Sequence, residues 1–117
     1  MITVPVSPTV DASSVLARVK ELAGAAHRSG RIVRGDPVVE ISPGEIAALS
    51  AALRIDTALR FEQLIDITAV HWPEDVDREF ELIYQYRSLR NNLFLRVKAR
   101  IPDGGSVASL AHTYSSA

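Results

Sequence analysis

Two stretches near the end of the chain, Glu79 to Ser88 and Leu93 to Ile101, alternate apolar and polar residues almost without a break. That alternation leaves little room for anything but two half-buried strands, because successive side chains of a strand point to opposite faces. Phe80, Leu82, Tyr84 and Tyr86 share one face of the first strand, and Leu95, Val97, Ala99 and Ile101 share one face of the second. The short SLRNN connection makes them a hairpin, with Asn91 and Asn92 suited to left-handed turn conformations. Two registers keep every apolar residue on one face. A tight Asn91-Asn92 loop sets Arg87 opposite Arg96. A longer loop from Leu89 to Asn92 sets Tyr86 opposite Leu95, Glu81 opposite Arg100 and Gln85 opposite Arg96. The second is preferred, because it pairs opposite charges and avoids an arginine pair.

The same alternation puts Arg96, Lys98 and Arg100 in a basic row on the far face, joined by Arg87 and Arg90. A nucleic-acid reader would interleave aromatic rings with such a row. Here the rings alternate onto the opposite face, so the row reads as a solvated or protein-docking surface. Its five members are the partner-docking candidates of this chain.

Upstream, Leu64 to His71 is a near-continuous apolar run ended by Trp72-Pro73, which predicts a strand with both faces at least partly covered and Ile67 in the core. Val15, Leu16, Val19, Leu22, Ala23 and Ala26 fall on one helical stripe. This predicts a helix over 11–26, capped by Asp11 or Ser13 and closed by Gly30. Asp36-Pro37 marks a turn and Val38 to Ile41 a short strand. Ser42-Pro43-Gly44-Glu45 has the form of a capping box, opening a helix whose Ile46, Leu49 and Leu53 share one face. After Pro102-Asp103-Gly104-Gly105, Ser106 is read as capping a short final helix that carries Val107, Leu110 and Ala111. The expected class is therefore α+β, with helices packed on one main mixed sheet in the order α-β-α-β-β-β-α. The expected organisation is an extended N-terminal arm over 1–10, where Pro5 and Pro8 disfavour regular pairing, followed by a single domain over 11–117.

Little in the residues points to chemistry. The sequence lacks cysteine, which removes thiol nucleophiles, iron–sulfur ligation and thiolate zinc sites. His27, His71 and His112 stand alone in their segments, without a second ligand at helical or strand spacing. Glu74-Asp75-Val76-Asp77 groups three carboxylates but lacks the spacing and glycine of a calcium loop, so it reads as a solvated turn. No phosphate-cradling glycine motif or nucleophile motif occurs. Expected catalytic, cofactor-binding and metal residues are accordingly none. Thirteen basic and fourteen acidic residues leave a formal charge of −1, which disfavours nucleic acid as a partner. No apolar run approaches the roughly 20 residues that span a bilayer, so membrane association is expected only through partners.

Two blocks carry a family resemblance. LRFEQLIDITAVHWP contributes Phe61, Leu64, Asp66, Thr68, Trp72 and Pro73, and FELIYQYRSL with LFLRVKARIP contributes Tyr84, Ser88, Leu89, Arg96, Val97 and Lys98. In these positions the chain resembles the N-terminal domain of the thirty-kilodalton subunit of respiratory complex I, the proton-pumping NADH:quinone oxidoreductase. The match runs from about Val38 to Tyr114. His71 departs from it, standing where the family has aspartate, and the family's glutamate-arginine-glutamate run is expected only beyond Ala117, so the C-terminal part of the family subunit is absent. The resemblance implies a cofactor-free scaffold of the peripheral arm that supports electron transfer from NADH to quinone. It implies packing against a large subunit of the forty-nine-kilodalton type and iron–sulfur subunits at the cytoplasmic face of a bacterial inner membrane, and solubility in isolation. Membrane-bound hydrogenases of the formate-hydrogenlyase type carry a similar domain, and a free-standing protein-binding module is the other alternative.

Overall fold

The computed structural model describes residues 10–101. The expected N-terminal arm before Val10 and the final helix after Ile101 lie outside the described residues. The elements run α1 (Ala12–Ala23), β1 (His27–Val33), β2 (Asp36–Ile41), α2 (Ile46–Ile55), β3 (Gln63–His71), β4 (Phe80–Ser88) and β5 (Leu93–Ile101), with single 3-10 turns before β1, α2 and β4. The five strands form one mixed sheet in the order β1-β2-β5-β4-β3. Two helices and one sheet make the α+β class expected from the sequence.

Asp11 caps α1, its carboxylate accepting from the amide of Ser14 at 2.8 Å. Gly24, not Gly30, closes the helix. Its φ of +57° lies in a region that residues with a Cβ rarely adopt. Gly30 belongs to β1, a strand the sequence pattern did not announce. HRSGRIV has neither alternation nor β-branched density, and five of its seven residues are exposed. The turn is also displaced. Arg34 and Gly35 both have positive φ, +52° and +86°, so they form the two-residue loop, and Asp36-Pro37 starts the strand instead of turning it.

The hairpin β4–β5 has the preferred register: Glu81 faces Arg100, Gln85 faces Arg96 and Tyr86 faces Leu95. β5 pairs on its other side with β2 in parallel, Val39 beside Val97. β5 is therefore the middle strand, and Leu95, Val97 and Ala99 are fully buried. Val15 and Val19 of α1, Ile46, Leu49 and Leu53 of α2, and Tyr84 and Tyr86 of β4 complete the core against them. Leu59 and Phe61, in the link before β3, are also fully buried, and the amide of Phe61 donates to the carbonyl of Leu53. Asn91 donates to the carbonyls of Ala58 and Leu59, so the β4–β5 turn is fastened to that link.

Two expectations fail for physical reasons. The reciprocal capping box does not form. Ser42 accepts the amide of Glu45 with its carbonyl, while its hydroxyl accepts from the Arg28 guanidinium across the β1–β2 hairpin. The turn Pro43–Glu45 precedes α2 with no side-chain cap. β3 is not covered on both faces either. It is an edge strand, and Ile67 is 46% exposed.

Candidate docking surface

Alternation along β5 puts Val97 and Ala99 inside, and so places Arg96, Lys98 and Arg100 together on the face away from the helices. Arg87 of β4 shares that face, and Arg90 lies exposed on the connecting turn. The structure thus brings four of the five sequence-predicted docking residues onto one face, with Arg90 on the adjoining turn, but it does not leave them equally free.

Arg100 is the most engaged. Its guanidinium donates to the carbonyl of Arg78 from two nitrogens, at 3.0 and 2.6 Å, and to the carboxylate of Asp75 at 3.0 Å. Only 15% of its side chain is exposed. Its role is to pin the 72–79 loop to the end of the sheet, which the expectation of a solvated arginine missed. Arg78 in turn reaches Glu40 of β2 at 2.9 Å. Arg96 stands 3.8 Å from Asp36, too long for a hydrogen bond, and keeps a third of its side chain exposed. Arg87 lies over the ring of Phe94 and donates to Asn92. Lys98 lines a shallow groove with Arg31, Glu40 and Glu81. Acidic side chains are thus threaded between the basic ones, and the face is mixed in sign instead of uniformly positive.

At the Arg100 end, Trp72, Pro73, Glu74, Asp75 and Arg100 line an open cleft of about 590 Å³. Trp72 is 48% exposed, with the Arg100 guanidinium 5.9 Å from its ring centre. His71, beside it, bonds Glu79 at 2.6 Å and stacks on Phe80. The sequence marked Trp72 as a strand end and as a position of the family resemblance, not as an exposed ring. Its exposure was not legible, because a tryptophan before a proline reads the same buried or exposed. The acidic loop is the solvated turn expected, with Glu74 and Asp77 exposed, apart from Asp75, which Arg100 engages. Among the described residues no group of three or more histidine, aspartate or glutamate side chains converges as a metal site, and no helix is long and apolar enough to cross a membrane. His112 lies outside the described residues.

Away from this face, Asp56 closes α2. Burial alone pushes its carboxyl upward, but the hydrogen bonds from the Arg18 guanidinium and the Leu59 amide outweigh that and hold it below the ordinary carboxylate value. Burial of Tyr84 raises its phenol. Neither group lines the clefts described above, and both read as structural.

Comparison with known proteins adds what this geometry does not supply. Residues 39–117 match the family described as respiratory-chain NADH dehydrogenase, 30 kDa subunit. The NADH-quinone oxidoreductase C subunit of Rhodobacter capsulatus is 37% identical over 89 residues, covering 76% of this chain and 44% of that protein. The chain thus spans about half the length, or less, of such curated relatives. Among solved structures, a chain of the membrane-bound sulfane sulfur reductase, an archaeal respiratory membrane complex, superposes with a TM-score of 0.74 at 21% identity, covering 90% of this chain and 60% of that one. The trypsin-resistant fragment (1-134) of Nqo5 superposes with a TM-score of 0.70 at 20% identity, covering 87% and 83%. At these identities the two structures speak for the fold alone.

Proposed function

The chain belongs to the respiratory-chain NADH dehydrogenase 30 kDa subunit family, and on that premise we propose that it is a cofactor-free structural and assembly subunit of the peripheral arm of a proton-translocating NADH:quinone oxidoreductase. In this reading it supports electron transfer from NADH to quinone without carrying a redox centre. It packs against a large subunit of the forty-nine-kilodalton type and neighbouring iron–sulfur subunits, at the cytoplasmic face of a bacterial inner membrane, and meets the membrane only through the complex. The observation that carries the reading is the family match over 39–117. The absence of cysteine agrees with it, since iron–sulfur clusters are held chiefly by thiolates.

The docking surface in this reading is the outer face of β4 and β5. Arg96 and Lys98, with Arg87 and Arg90, supply charge that the domain does not fully use. Arg100 contributes indirectly, by holding Trp72 and its cleft in place. A half-exposed tryptophan beside an arginine is the composition that anchors protein interfaces, where losing one such residue costs about 2 kcal/mol or more. The test is affinity recovery of the tagged chain from detergent-solubilised membranes of its source cells. Wild type is expected to bring down that large partner subunit, and Trp72→Ala or the Arg96→Ala, Lys98→Ala pair to bring down much less while melting normally. Recovery of hydrogenase-type subunits would move the chain to that class of complex. Variants that assemble like wild type would remove this face from the interface.

A further inference from the structure

The turn end of the β4–β5 hairpin carries side chains that the domain itself does not use. Among the described residues the two most exposed large apolar side chains are Ile55, 78% exposed, and Leu89, 55% exposed. Ile55 is the last residue of α2, and Leu89 begins the turn after β4. Asn91 joins the two places. Its side-chain amide donates to the carbonyls of Ala58 and Leu59 and to the hydroxyl of Ser88, so the link after α2 and the hairpin turn form one surface. Arg60 and Arg90 stand on it, both exposed, and neither guanidinium has a hydrogen bond or ion pair among the described residues. Arg60 is also held at φ +47°, a left-handed conformation that glycine adopts at less cost. The backbone there suits glycine, yet the position carries a long cation with no partner in the described fold.

We propose that this end of the domain is a second protein interface. Its partner is an acidic amphipathic segment of another subunit, whose apolar side chains cover Ile55 and Leu89 and whose carboxylates pair with Arg60 and Arg90. The local charge favours such a partner. Asp56 is already spent on Arg18 and the Leu59 amide, which leaves Glu62 as the exposed acid of the link. Two guanidinium groups then stand ready for carboxylates, which they bind in two-pronged hydrogen bonds. Exposed apolar side chains flanked by arginine, once desolvated, make interface anchors. A bilayer fits worse. The chain carries a formal charge of −1, so it has no long-range pull toward anionic headgroups, and Glu62 stands two residues from Arg60. The place is separate from the Trp72 cleft. β4 and β5 pair from Phe80 with Ile101 at that end to Ser88 with Leu93 at this one, about 26 Å apart at ~3.3 Å per residue. A chain anchored at both ends of its sheet holds two partner segments at a fixed separation. The inference shares with the proposed function only the premise that the chain has a protein partner.

Photo-crosslinking in the source cells tests this. A benzophenone amino acid replaces Ile55, Leu89 or, as a control on the outer face, Lys98, each in the full 117-residue chain. Irradiated complexes are purified through a tag, and the joined peptides are sequenced by mass spectrometry. The Ile55 and Leu89 probes are both expected to join one protein segment that contains aspartate or glutamate. Arg60→Glu combined with Arg90→Glu is expected to lower that yield at least about tenfold, with an unchanged melt because both side chains are exposed. Arg60→Gly separates binding from folding. It removes the guanidinium and suits the left-handed backbone, so it is expected to melt like wild type and still lose cross-link yield. Cross-links from Lys98 with none from Ile55 or Leu89 would overturn this interface and leave the outer-face reading standing. Cross-links from Ile55 and Leu89 with none from Lys98 would support this interface and remove the other. Silence at all three positions would overturn both. Cross-links to phospholipid, to a segment free of carboxylates, or at undiminished yield in the charge-reversed chain would also overturn the proposal.

Discussion

The hydroxyls of Ser50 and Tyr86 share a hydrogen bond inside the core, joining α2 to β4 where both residues are fully buried. Ser50 and Ser88, the latter at the hairpin turn, are both fully buried serines. A buried hydrogen bond specifies which way a helix sits on a sheet, since sliding α2 would separate the pair. Tyr86→Phe is expected to cost roughly 1–2 kcal/mol in denaturant unfolding. A double-mutant cycle with Ser50→Ala is expected to show coupling, with the double variant less destabilised than the sum of the two singles.

Val97 and Ile67 separate the centre of the sheet from its edge. Val97→Ala is expected to cost about 1–3 kcal/mol, because the site is enclosed on both sides and leaves a cavity. Ile67→Ala is expected to cost less than about 1 kcal/mol, in keeping with its exposure. Urea melts compare the two.

Arg100 and Arg96, four residues apart on one strand, are expected to behave differently on truncation. Arg100→Ala removes three donated hydrogen bonds and the anchor of the 72–79 loop, and is expected to cost roughly 1–3 kcal/mol. Arg96→Ala loses only a long ion pair and is expected to change stability by less than about 1 kcal/mol. The fluorescence of Trp72, the single tryptophan of the chain, is expected to shift in the Arg100 variant and not in the other.

Asp56 gives the fold an acid limit. Its folded carboxyl lies below the ordinary value of 3.8. The stabilisation is therefore fully present above that value and is lost as the pH falls through the lower, folded one. Asp56→Asn is expected to reduce stability at neutral pH and to flatten the acid decline, read as the midpoint of urea unfolding against pH.

How far the sequence carried can be judged element by element. The β4–β5 register was legible because charge pairing distinguishes two alignments that hydrophobicity cannot, and the structure has the alignment with Glu81 against Arg100. The faces of α1 and α2 were legible from spacing. β1 was not, because its pairing with β2 is set by a positive-φ turn at Arg34-Gly35 and not by its own composition. The exposure of β3 was hidden for a different reason. An apolar run has the same letters at the middle of a sheet and at its edge, and only the strand order tells them apart. On the candidate docking face, the sequence grouped the five basic residues but not their use. Arg100 looked like Arg96 until Asp75 and the Arg78 carbonyl, both distant in sequence, were found around it.

The place of β5 in the sheet has a consequence for how the chain folds. It is the last described strand in chain order, yet it lies between β2 and β4. Until it arrives, a nascent polypeptide holds two separate hairpin halves, β1 with β2 and β3 with β4, with no strand pairing between them. The parallel contact of Val38 to Glu40 with Arg96 to Lys98 then closes a long loop in one step. Long-range pairings of this kind slow folding, so assembly of the sheet is expected to be a late, single event. During synthesis the apolar inner faces of both halves stay open until the middle strand leaves the ribosome, and this is the interval in which a chaperone or a partner has most to protect.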